Sequence, residues 1–142
     1  MGYTHYWYTK GEEPLEKFDE YAKDCEQLCN HFMQTTNHII RDYDGTGHPE
    51  FSKDKVAFNG DRHMDRGHES FVMRAKPSDF DFCKTARKPY DLLVQACLVV
   101  LKHKYGSRVR INSDGDLSEW QDAMAMVSEV LGYDTKHFDL GA

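Results

Sequence analysis

The sequence predicts an α+β domain with ferredoxin-like order, β-α-β-β-α-β, extended by a C-terminal helix. Three observations carry that expectation. Residues 3–9 (Tyr-Thr-His-Tyr-Trp-Tyr-Thr) are almost all β-formers. Leu15, Phe18, Ala22, Cys25, Cys29 and Phe32 then recur at spacings of three and four, as on a helix. The remaining strand and helix patterns follow in the order that places an antiparallel sheet under two helices.

Taken in turn, Pro14 suits the first position of a helix that runs to about residue 36. Residues 42–54 are turn-rich and read as a loop. Val56–Phe58 forms a short strand closed by Asn59-Gly60, and Glu69–Arg74 is its returning partner after a polar stretch. Residues 76–88 have no period and read as irregular. Pro89 opens a second helix to about Lys104, apolar on nearly every face and closed by Gly106. Arg108–Asn112 alternates as a half-buried strand. Asp114-Gly115 turns the chain, and Asp116 with Glu119 forms a capping box. Leu117, Trp120, Met124, Val127 and Leu131 line a third helix. No repeat, low-complexity segment or linker divides residues 1–142, so one domain is expected.

Composition narrows the setting. With 39% hydrophobic and 30% charged residues the chain has the balance of a folded domain and not of a disordered one. No apolar run approaches the roughly 20 residues of a membrane span, and the aromatic N-terminus lacks the basic segment of a signal peptide. The four cysteines (Cys25, Cys29, Cys83, Cys97) form no Cys-x-x-Cys pair, which favours a reduced cytoplasm.

The net charge of −6 disfavours non-specific nucleic-acid binding. Its distribution is uneven. Residues 76–110 hold eight of the 18 basic side chains and three of the 24 acidic ones, a local +5 in an otherwise acidic chain. One basic sector suits a localised anionic ligand.

Phe82-Cys83-Lys84-Thr85-Ala86-Arg87-Lys88-Pro89-Tyr90-Asp91 is the strongest local signal. Lys84, Arg87 and Lys88 stand at the start of the second helix, where the unpaired N–H groups already carry partial positive charge. A bound phosphate or carboxylate would turn that repulsion into attraction. Alternatively, the three cations point into water or pair with Asp79 and Asp81. The expected anion site is Lys84, Thr85, Arg87 and Lys88. The second signal is the first strand, where Tyr3, His5 and Trp7 share one face and Thr4, Tyr6 and Tyr8 the other. One set meets the helices and the other lies on the exposed face of the sheet. Tyr3, His5 and Trp7 are the expected pocket residues. Pairing of the last strand with the first would set Arg108 and Arg110 beside exposed aromatics, which is what a nucleobase and its phosphate need. The alternative is plain cross-strand pairing with solvated arginines.

Other constellations are weaker. His63, Asp65, His68 and Glu69 have ligand chemistry, but a polar hairpin loop accounts for them, and no metal or other cofactor is expected. Cys83 beside Lys84 has the setting of an activated thiolate, against the simpler reading of a small buried hydrophobe.

GYTHYW (2–7), FNG (58–60), FCKTARKPYD (82–91) and SDG (113–115) together resemble a group of small bacteriophage- and prophage-encoded proteins that begin GYTHYW and carry an FCKTARKPYD segment. The resemblance spans the chain at spaced landmarks. It implies an origin and not a reaction: a phage accessory protein in the cytoplasm of an infected bacterium. The leading expectation is a non-enzymatic binder of a phosphate-bearing small molecule, a nucleotide, sequestering a host defence signal. One alternative is a phosphoesterase or nucleotide hydrolase using His5 or Cys83 in the same pocket. Another is an acidic interaction protein that blocks a host protein. Homo-oligomers are compatible with all three.

Overall fold

β1 (Thr4–Thr9), built of aromatic and β-branched residues, is the centre of a three-stranded antiparallel sheet in a computed structural model that describes residues 2–142. Its neighbours are β6 (Phe80–Lys84) on one side and β7 (Val109–Ser113) on the other. The register sets Thr4 opposite Lys84, His5 opposite Cys83 and Ser113, and Tyr8 opposite Phe80 and Arg110.

A second antiparallel sheet is centred on β4 (Lys55–Gly60). It pairs with β5 (Phe71–Arg74), from Lys55 opposite Arg74 to Phe58 opposite Phe71. Two short strands, β2 (Ile40–Arg41) and β3 (Glu50–Phe51), complete it. The mixed α+β class and the pairing of the first strand with the last agree with expectation. The ferredoxin-like order does not hold, because the β4–β5 hairpin builds its own sheet. The place beside β1 goes to β6, in a segment read as irregular. The reason lies in its polarity: Phe80 and Phe82 face outward while Cys83 faces the core. An apolar-in rule passes over such a strand.

α1 (Phe18–Thr36) starts later than Pro14 because Lys17 adopts a left-handed conformation ahead of it. Asn37, also left-handed, ends it by donating its N–H to the Met33 carbonyl, in the manner of a helix C-cap. α2 (Asp91–Tyr105) buries every residue from Leu93 to Leu101, Gln95 included. It packs against α1, α3 and β7, which is why no polar face is needed along that stretch. α3 (Gln121–Leu131) follows a 3₁₀ turn over Leu117–Trp120 that carries the expected Asp116–Glu119 capping box.

Phe71 joins the two sheets. Its ring centroid lies 5.3 Å from Trp7 of the first sheet and 5.2 Å from Phe58 of the second, and it is fully buried. Phe71→Ala is therefore expected to lower stability in urea unfolding by about 3–5 kcal/mol, the usual range for truncating a core phenylalanine. A loss of under about 1 kcal/mol would show that the sheets cohere without it.

Candidate functional site

His5 projects from β1 into the core face and is completely buried. Its Nδ1 lies 2.8 Å from Ser113 Oγ and its Nε2 lies 2.6 Å from Asp91 Oδ1. The β1–β7 register dictates the first contact, since His5 and Ser113 are direct partners. Asp91 stands in the first turn of α2, where a carboxylate complements the helix dipole. Its Oδ1 also accepts from Thr85 Oγ1 at 2.5 Å, and its Oδ2 from Gln95 Nε2 at 3.0 Å. The tautomer with its proton on Nε2, facing the Asp91 carboxylate, offers the Nδ1 lone pair to the Ser113 hydroxyl. The Gly115 N–H also donates to Ser113 Oγ, at 3.0 Å.

Two aromatic side chains wall this relay. Tyr3 and Trp120 meet the His5 ring edge-on, with centroids 5.0 and 4.9 Å away. The Trp120 indole nitrogen is buried without a hydrogen-bond partner, and the Tyr3 hydroxyl has only a weak approach to the Ser113 side chain. Burial, and then the charge of Asp91, raises the Tyr3 pKa, so the hydroxyl keeps its proton. Arg87 lies over the Tyr3 ring, its guanidinium carbon 3.8 Å from the centroid, and bonds Glu119 at 2.6 Å. That pair is solvent-exposed, and screening makes it easy to part.

The turn before α2 explains how Thr85 goes under and Arg87 over. Ala86 and Arg87 both have left-handed backbones, with φ of 52° and 58°. Neither is glycine, and such a conformation is disfavoured for a residue with a Cβ. The N–H groups of Thr85 and Ala86 both donate to the Tyr3 carbonyl, which holds the turn against β1.

The cations at the rim are largely engaged. Arg87 meets Glu119, and Lys88 Nζ meets the Asp65 carboxylate at 3.6 Å and the Asp65 carbonyl at 3.0 Å. These partners are neither Asp79 nor Asp81. Lys84 makes no ion pair among the described residues. Beside Asp65 opens a cleft of about 360 Å³ that includes Asn59, Gly60, Gly67 and His68. Among the described residues no group of three or more His, Cys, Asp or Glu is placed to hold a metal ion. Three landmark segments of the sequence thus meet directly, and the fourth, FNG, lines the adjoining cleft.

The expected base-stacking set is corrected by the burial pattern. Tyr3, His5 and Trp7 face the core, and Trp7, packed on Phe71, has no free ring face to offer. The open face of the first sheet carries the alternate residues: Tyr6 and Tyr8 of β1, Phe80 and Phe82 of β6, and Arg110 of β7. Phe80 and Phe82 are each 43% exposed. Phe80 lies 5.0 Å from Tyr8 and 6.3 Å from Tyr6, and the Arg110 guanidinium sits 4.4 Å from the Tyr8 centroid.

Arg108 is not free for a ligand. It donates to the carbonyls of Lys10, Pro14 and Glu13 and so straps down the segment before α1. Nor does Arg110 join the Lys84–Lys88 group. Lys84 is level with Thr4 and Arg110 with Tyr8, four residues or roughly 13 Å apart along the strand.

Ser113, Phe80 and Phe82 are absent from the expected site, and Asp91, Tyr6 and Tyr8, visible as a first-turn acid and as the alternate face of the first strand, are not assigned to it. The outward pair could have been found from the alternation of Phe80 and Phe82 with Asp81 and Cys83. No helix of the described residues is long and apolar enough to cross a membrane. Comparison with known protein families, characterised proteins and solved structures finds no match.

Cys83 is sealed, and burial raises its thiol pKa far from the range of a reactive thiolate. Burial likewise pushes the Cys29 thiol up to about 12. Iodoacetamide at pH 8 is therefore expected to leave all four cysteines unmodified in the native protein and to alkylate four after denaturation, as read by intact mass. Rapid native modification at Cys83 would restore it as a candidate nucleophile.

Proposed function

We propose that this protein binds a phosphate-bearing small ligand, a nucleotide, with the base stacked on the open face of the first sheet. One observation carries the reading: four aromatic side chains share that face with Lys84 and Arg110, two cations that make no ion pair among the described residues. Phe80 and Phe82 lie side by side on the sheet and each keeps 43% of its surface open to a ligand. Base–aromatic stacking contributes about 1–3 kcal/mol per base. Lys84 lies one two-residue step, roughly 6.6 Å, beyond Phe82 on the same face, within reach of a phosphate attached to a base held there. Arg110 serves the opposite end. The acidic remainder of the chain disfavours a long polyanion and leaves a single small ligand as the better fit.

The resemblance to phage-encoded proteins gives this binding a setting, the cytoplasm of an infected bacterium. Holding a host signalling nucleotide would remove it from a defence response. Such a role needs tight, stoichiometric binding and no turnover at this face.

Calorimetric titration with mononucleotides, linear dinucleotides and cyclic dinucleotides tests the proposal. One class is expected to bind at a ratio of one per chain, or one per two chains if a dimer shares it. Phe82→Ala should weaken that binding by about 1–3 kcal/mol, and Arg110→Glu by at least about 1.5–3 kcal/mol. Both positions are exposed, so thermal melts of the free variants should stay close to that of the parent. Absence of binding by every phosphate ligand would overturn the reading.

A further inference from the structure

We infer that Ser113, His5 and Asp91 form a nucleophilic relay that cleaves a phosphate ester. The relay lies on the opposite face of β1 from the aromatic platform and does not rest on it. Its geometry has three parts: a half-buried hydroxyl, an imidazole bonded to it at 2.8 Å, and a carboxylate bonded to the far nitrogen at 2.6 Å. Those are the nucleophile, the general base and the positioning group of hydrolases that work through a serine.

A purely structural tie between β1 and α2 accounts for Asp91, Thr85, Gln95 and His5. It does not account for the rest. The indole N–H of Trp120 is buried without a partner, the Tyr3 hydroxyl has only a weak approach to the Ser113 side chain, and both residues wall the imidazole. Buried donors are ordinarily satisfied, and those left open call for a partner. Gly115 lets the Tyr3 hydroxyl and the Glu119 carboxylate approach the backbone closely, since a Cβ there would run into both.

Arg87 lies across Tyr3 and, among the described residues, forms an ion pair only with Glu119. An incoming phosphate oxygen would replace Glu119 on that guanidinium and accept from the Tyr3 hydroxyl. A guanidinium and a phenol donor suit the non-bridging oxygens of a phosphate better than they suit a neutral acyl group.

In the step itself, Ser113 Oγ attacks phosphorus and its proton passes to His5 Nδ1. The bond from phosphorus to the leaving oxygen breaks, and the imidazolium returns the proton to that oxygen, releasing an alcohol. His5 then takes a proton from water as the water oxygen attacks the phosphoserine. Ser113 Oγ leaves and recovers that proton. One ester bond and one water are consumed, and no redox partner is involved. Asp91 holds the imidazole proton on Nε2 throughout.

The probes are a fluorophosphonate and bis(4-nitrophenyl) phosphate, applied to the full chain. Intact mass and peptide mapping should find one phosphonyl adduct, on Ser113, with release of fluoride. Bis(4-nitrophenyl) phosphate should release nitrophenolate at least a hundredfold faster than with Ser113→Ala, measured at a temperature where the melt shows that variant to be folded. Asp91→Asn should slow both reactions at least tenfold, whereas a structural role alone would move only the melt. Should Asp91→Asn fail to fold, Ser113→Cys supplies the second measurement: its thiol should be alkylated by iodoacetamide faster than free cysteine. A folded protein without an adduct at Ser113, and without enhanced alkylation in Ser113→Cys, overturns the relay. Turnover of 4-nitrophenyl acetate with none of the phosphodiester overturns the substrate class.

Discussion

The carboxylate of Asp91 gathers the segments on which the rest of this structure depends. It receives hydrogen bonds from His5 of β1, Thr85 at the end of β6 and Gln95 one turn along α2, and through His5 it reaches Ser113 of β7. All three strands of the first sheet are thereby referred to the N-terminus of the most buried helix. Removing the carboxylate would leave several buried polar groups unpaired at once, each at a cost of about 1–3 kcal/mol. The helix dipole adds to its ionised state. The left-handed turn at Ala86 and Arg87 is the backbone consequence, because Thr85 must tuck beneath Asp91 while the chain still rises to enter α2.

Much of the local architecture was legible because local periodicity decides it. α1 and α3 follow from apolar spacing, the 3₁₀ entry to α3 from its capping box, and β1 from its run of β-formers. β6 escaped because its large apolar residues point to solvent, so its pattern opposes the rule by which strands are recognised. The division into two sheets escaped for a different reason. Whether a hairpin extends a sheet or founds another is settled by long-range packing, here by Phe71 against Trp7, which no spacing encodes. The His5–Asp91 contact joins residues 86 positions apart and leaves no periodic trace.

The basic sector shows how a charge count misleads about ligands. Of its eight cations, Lys102 donates to the carbonyls of Gly106, Val109 and Ala142, and Arg108 straps residues 10–14. Lys104 pairs with Asp24 at 3.1 Å, Arg87 with Glu119 and Lys88 with Asp65. Long cationic side chains close loops and helix ends as readily as they hold anions. Lys76, Lys84 and Arg110 remain without such bonds among the described residues, and two of those three lie on the aromatic face. The cations without such bonds do not coincide with the place where the charges crowd in the sequence.

A period of two along β1 separates the two kinds of chemistry. Odd positions send Tyr3, His5 and Trp7 into the core, where a hydrogen-bonded relay needs a dry and rigid surrounding. Even positions send Tyr6 and Tyr8 outward, where stacking needs open ring faces. A slip of one residue in register would exchange the sets, burying the platform and exposing the relay. The strand is held on both sides against that slip, by β6 and β7 in the backbone ladder and by the His5–Ser113 and His5–Asp91 bonds in the side chains. The bonds that make His5 a candidate base are therefore also those that fix which aromatics face solvent, so the dry face and the wet face of this strand are specified by the same residue.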